Sequence, residues 1–244
     1  MSVPGLFTHG SPRHQLPHPQ IPTRLLLAVH AAFVTAFAML RAAPPRGFVL
    51  ATAHEKVITR QLKDILANDL LPNGTIPGFD KTFFSYVTRD AELTSYDGKH
   101  PDKKPDIFVG LQRSDGARII ADQDGVFVEC KPVDRSHGLT PAYGIEGIRR
   151  FVEGEYAWAM TSAFMVAYVR GGFTVARELR ANFKKNNADA RFGKPTLGRI
   201  LPGSSKGLKY EALRSSRHRR EFRWPANGKL AAAIVIYHSW HDCE

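Results

Sequence analysis

The chain of 244 residues has only two cysteines, Cys130 and Cys243, and no Cys-x-x-Cys pair. That excludes a disulfide framework and a cysteine-rich metal centre, and it leaves two reduced thiols. Apolar runs long enough to cross a bilayer are also lacking, since a transmembrane helix needs about 20 such residues. The longest run, Leu25–Leu40, falls short and contains His30. It makes a poor secretory leader, because Pro44-Pro45 follow where small residues of a cleavage site belong. Acid is scarce in one region. Residues 177–229 carry 15 Lys or Arg against 4 Asp or Glu, an excess of eleven that equals the +11 of the whole chain. These shortages point to a reduced, cytoplasmic setting and a polyanionic partner.

What is present suits one large domain, with 43% hydrophobic residues to build its core. Residues 1–22, rich in Pro, His, Gly and Gln, read as a flexible tail ahead of a single domain over 23–244. Leu25–Leu40 reads as a buried helix. A second helix spans Ala53 to Leu71, with Thr52 as N-cap and Glu55 completing a capping box. Thr82–Val87 reads as a strand. Pro141 to Met160 reads as a long helix that carries the chain to a strand at Ser162–Val169, parallel to the strand before it. Arg177-Glu178-Leu179-Arg180 opens a short amphipathic helix, and Leu230–His238 is a last strand. The expected class is α/β, a mixed central sheet with helices on both faces.

The stretch from Asp106 to Lys131 organises the rest. Ile107-Phe108-Val109 and Val126-Phe127-Val128-Glu129-Cys130-Lys131 read as short buried strands between turn signals. In the second, Phe127, Glu129 and Lys131 share one face, and Val126, Val128 and Cys130 the other. A carboxylate and an ammonium at the end of so apolar a strand need a reason. If the two strands pair antiparallel, Asp106 lies beside Glu129 and Lys131. Two carboxylates suit a hard cation such as Mg²⁺, which acidifies a water and screens a phosphate. A lysine beside them can orient or deprotonate that water and offset charge in the transition state. The alternative is a three-strand meander with Ala117–Ala121 in the middle. It would hold Asp106 and Glu129 about 10 Å apart and leave Glu129–Lys131 as a surface ion pair.

Pro105-Asp106 followed by Glu129-Cys130-Lys131 resembles the PD-(D/E)xK nuclease superfamily, over roughly residues 48–170 by order of elements. The resemblance implies a restriction-endonuclease-like fold and nucleic acid cleavage with Mg²⁺, for which Mn²⁺ can substitute. DNA is favoured over RNA, and restriction-type or anti-phage defence is the setting, with a protein partner of such a system. It implies Asp106 and Glu129 as metal ligands, joined by the Cys130 backbone carbonyl, and Lys131 as the group acting on water. Glu55, on the helix before the Pro-Asp strand, matches the superfamily's extra acidic residue, with Glu92 as its rival. Arg150, on the helix after the Glu-x-Lys strand, is placed to meet a phosphate.

The basic segment supplies the remaining candidates, Lys206, Lys209, Arg217, Arg219 and Arg220, interleaved with Phe222 and Trp224 for phosphate contacts and base stacking. His238, His241 and Cys243 imitate a metal cluster without its spacing. Two other readings stand beside the nuclease. One is a nucleic-acid-binding subunit that keeps the fold and does not cut. The other is a membrane-associated basic protein using Leu25–Leu40.

Overall fold

The computed structural model describes residues 14–244 except 115, 187–189, 202–212 and 225, and the side chains of 186 and 199 are likewise left out. Seven strands form one mixed sheet in the order β1-β2-β3-β4-β7-β6-β5. They are β1 (Phe84–Thr88), β2 (Ile107–Leu111), β3 (Gly125–Val133), β4 (Ser162–Val169), β5 (Thr196–Ile200), β6 (Leu213–His218) and β7 (Ile234–Asp242). The middle of the sheet, β3-β4-β7, is parallel, and antiparallel strands flank it on both sides. Every residue of β3 and β4 is buried, as expected for parallel strands covered on two faces.

One face is covered by α1 (Thr23–Ala42) and α2 (Glu55–Ile65), and α2 continues through a π-helical turn, Leu66–Leu70, into α3 (Leu71–Asn73). Thr59 bonds Tyr168 of β4, and Phe37 stacks on His241 of β7 at 4.1 Å. The other face carries a π-helical stretch, Leu139–Ile148, which runs into α4 (Arg149–Glu153), and then α5 (Val175–Asn186). Gly147 lies so close to the sheet that a Cβ would meet Met165 of β4 at 2.5 Å. The mixed α/β sheet with helices on both faces is thus as the sequence implies. Ser162–Val169 matches β4 residue for residue and pairs parallel with β3.

Several boundaries differ, each for a local reason. Residues 14–22 are not a free tail: His18 is buried, its Nδ1 lies 3.5 Å from Asp124, and its Nε2 accepts from Ile120 N. The cap of α2 is His54, whose Nδ1 accepts from Lys56 N at 3.3 Å, and not Thr52. The long helix after β3 stops at Glu153, because Gly154 turns left-handed (φ 73°) where a Cβ would strike Phe222 and Tyr96. The last strand begins at Ile234 rather than at Leu230, which is 55% exposed. α1, at 20 residues, is long and apolar enough by length and composition to cross a membrane, yet ten of its residues are buried. His30 is among these ten, bonded through Nδ1 to Ser239 of β7.

Candidate active site

The site forms where β2 begins and β3 ends. Antiparallel pairing sets Ile107 opposite Val128, so the next residues outward, Asp106 and Glu129, face each other. No strand intervenes, and the meander is excluded: residues 117–121 form none, and β2 pairs with β3 directly. Asp106 Oδ2 accepts from the Cys130 amide at 2.8 Å, which fixes the carboxylate against the neighbouring strand.

Lys131 is the centre of the arrangement. Its Nζ lies 3.1 Å from Glu55 Oε1, 3.4 Å from Asp106 Oδ2, 3.1 Å from Glu129 Oε2 and 3.1 Å from the Cys130 carbonyl. α2 delivers Glu55 from its first turn. Glu92, the rival, is exposed and pairs with Lys104 at 2.8 Å.

The two oxygens of Glu129 differ. Oε1 accepts from the Tyr156 hydroxyl and lies 3.5 Å from Arg150 Nη1. Oε2 approaches Lys131 as an ion pair without hydrogen-bond alignment, and it has no hydrogen-bond partner among the described residues. Burying a carboxylate oxygen in that condition is costly. Tyr156 and Arg150 therefore aim the carboxylate, one oxygen held and the other turned to the cluster. Tyr156 carried no signal of this in the sequence, where it reads as the apolar face of a helix that in fact ends before it.

Burial, and next the Asp106 charge, push Glu129 up to about 7, against the pull of Lys131 and Arg150. Burial also raises Glu55, opposed by Lys131. Burial works against the Lys131 ammonium, but Glu129, Asp106 and Glu55 outweigh it and raise its pKa. The Cys130 thiol, on the opposite face, is pushed well above its usual range by burial.

Among the described residues, no group of three or more His, Cys, Asp or Glu is placed to hold a metal ion. Mg²⁺ does not need one, because it keeps several waters and binds through one or two carboxylates. Asp106, Glu129 Oε2 (ion-paired to Lys131 but without a hydrogen bond among the described residues) and the Cys130 carbonyl fit that pattern. His238, His241 and Cys243 form no cluster. The His238 ring bonds Tyr143 on one side of the sheet, and the His241 ring stacks on Phe37 on the other.

The basic candidates divide. Arg150 keeps a side chain 35% exposed beside the cluster. Arg217 and Arg219 are exposed on β6 and just beyond it. Arg220 is not available to a nucleic acid. It is buried, and its guanidinium donates to the carbonyls of Ala157, Trp158, Met160 and Ala232. Nor are Phe222 and Trp224 free to stack on bases, since they pack with Trp158, Ala159 and Ala231 in a small second core. Lys206 and Lys209 lie outside the described residues. Comparison with protein-family models, with curated proteins and with solved structures gives no match.

Proposed function

We propose that the chain is a nuclease of restriction-endonuclease-like fold that hydrolyses phosphodiester bonds with Mg²⁺ or Mn²⁺, on DNA in preference to RNA. Restriction-type or anti-phage defence is the setting that suits it, by analogy of fold and motif alone. One observation carries the reading: three carboxylates, from α2, from the residue just before β2 and from β3, converge on a single point, Lys131 Nζ, at 3.1–3.4 Å.

Asp106, Glu129 Oε2 and the Cys130 carbonyl are the groups that would hold the cation. When bound, it would acidify a nearby water and screen phosphate charge. Lys131 stays an ammonium among its carboxylates, so its part is to orient the water and to donate from Nζ to the phosphate as charge builds. Glu55, raised by burial yet with a side chain 24% exposed, is placed to take the water's proton. The water oxygen bonds to phosphorus as the ester P–O bond breaks, and the leaving oxygen is protonated by solvent. Arg150 neutralises Glu129 and offers its outer face to the same phosphate.

A non-cleaving binding subunit remains as second reading, because Lys131 already contacts all three carboxylates without a metal. Plasmid and linear single strands incubated with Mg²⁺, Mn²⁺ or EDTA separate the two. Metal-dependent nicking supports the nuclease, and binding without any cut supports the subunit.

A further inference from the structure

At the edge of the sheet away from the cluster, Lys194, Thr196, Arg217 and Arg219 line a polar cavity of about 260 Å³. Among the described residues, no acid lines it and none of the three cations has an ion-pair partner. The walls are fixed by backbone rather than by loose side chains. Thr196 and Arg217 are cross-strand partners of β5 and β6. Arg219 N donates to Gly193 O at 2.6 Å, and the buried His218 ring bonds Phe192 O at 2.7 Å. Gly193 must be glycine, since a Cβ there would meet Arg219 O at 2.0 Å. Lys194 is held left-handed at φ 50°, a conformation a lysine seldom adopts unless its surroundings impose it. Three like charges thus line one cavity with no acid among the described residues to offset them, which favours a bound polyoxyanion.

The geometry points to a phosphate-binding pocket that grips the nucleic acid strand remote from the cut. This rests on the reading of the chain as a nucleic-acid enzyme and adds a second anchor to it. β5 lies four strand steps from β3 in the sheet order, roughly 19 Å at the usual spacing. At about 3.4 Å per phosphate along one strand, the pocket engages only a duplex that extends some six base pairs or more from the cluster.

The test compares the parent with an Arg217→Gln/Arg219→Gln variant and with Lys194→Gln, all at exposed positions, with thermal unfolding as a check of fold. Affinity is measured in Ca²⁺ for a duplex of about 20 base pairs and for a hairpin with a stem of about five, at two salt concentrations. The expected result is a loss of about tenfold or more on the long duplex at low salt, with a salt slope shallower by about 0.9 for each contact removed. Hairpin affinity should stay at the parent's value, and inorganic pyrophosphate should compete for the long duplex in the parent alone. Unchanged affinity and slope on the long duplex would overturn the pocket, as would an equal loss on the hairpin. So would pyrophosphate that binds at the pocket without displacing the duplex. Hairpin cleavage in Mg²⁺ is scored separately. If nothing is cut while the long-duplex effect holds, the nuclease reading fails and the pocket stands. If cutting proceeds and the variants bind as the parent does, the reverse is true.

Discussion

Two of the regions where this sheet buries polar side chains do so in opposite ways. On β6 and β7 a chain of hydrogen bonds runs in one direction. Trp240 Nε1 donates to Tyr143, Tyr143 to His238 Nδ1, His238 Nε2 to Ser216, Ser216 to His218 Nε2, and His218 Nδ1 to the Phe192 carbonyl. That direction uses every donor and acceptor with both imidazoles neutral, and it assigns their tautomers. Burial holds His218 down to about 4 and His238 well below its usual value, in keeping with neutral rings. Where β2 begins and β3 ends the polar groups are ionisable acids around an ammonium instead: buried Glu129 and Lys131 with half-buried Asp106 and Glu55, and Glu129 Oε2 has no hydrogen bond among the described residues. The satisfied neutral network specifies packing. The charged one leaves a buried carboxylate oxygen without a hydrogen bond among the described residues, which the proposed divalent cation would satisfy.

The contrast breaks first at Lys131. Lys131→Met should lower cleavage on the order of 100- to 1000-fold, the usual effect of removing one donor to a developing charge. The same variant should lose thermal stability above neutral pH, where its carboxylates face one another, and regain it when Mg²⁺ is added. A cleavage time course beside a melting curve reads both.

The neutral network should behave conversely. His238→Ala removes the middle of the chain, leaves the Tyr143 hydroxyl without its acceptor and Ser216 without the donor it accepts from, and should cost about 3 kcal/mol in urea unfolding. Cleavage per folded molecule should be unchanged.

Acid sharpens the difference, because the two regions titrate with opposite signs. The folded value of His218 is depressed, so its contribution is complete above the ordinary value of about 6.5 and is lost as pH falls toward about 4. The folded value of Glu129 is raised, so its contribution is complete below the ordinary carboxylate value and is lost as pH rises through about 7. Glu129→Gln should therefore steepen the loss of stability from neutral to acid pH, and His218→Phe should flatten it. Urea midpoints across that range decide it, and parallel profiles for both variants would contradict the assignment.

The smallest effect is expected at Tyr156. Tyr156→Phe leaves Glu129 Oε1 to Arg150 alone. It should cost about 1–3 kcal/mol and raise the Mg²⁺ midpoint for cleavage several-fold without abolishing it.

The sequence displayed these two regions unequally. The β3 alternation and the Asp106 register could be read because period two and antiparallel pairing leave little freedom once both strands are buried. Glu55 was reachable only through the resemblance, since a helix N-terminus gives no hint of which distant residue it will meet. Tyr156 could not be read, because the turn that aims it depends on Gly154 packing against Phe222 and Tyr96, residues far from it in the chain. Arg220 misled for a related reason. Between Arg219 and Glu221 it looks like one more surface charge, and only the fold reveals four carbonyls waiting for its guanidinium. The neutral network was invisible for a similar reason, since alternation marks which residues point inward and not which of them will meet.

The central claim is that the charged region is incomplete without a divalent cation held by Asp106 and Glu129. Mn²⁺ titration followed by electron paramagnetic resonance, in the parent, Asp106→Asn and Glu129→Gln, tests it without reference to any substrate. The account predicts saturable binding of one Mn²⁺ per chain in the parent, displaced by Mg²⁺ and weakened in both variants. Absence of saturable binding in the parent, or equal binding in all three proteins, would contradict it.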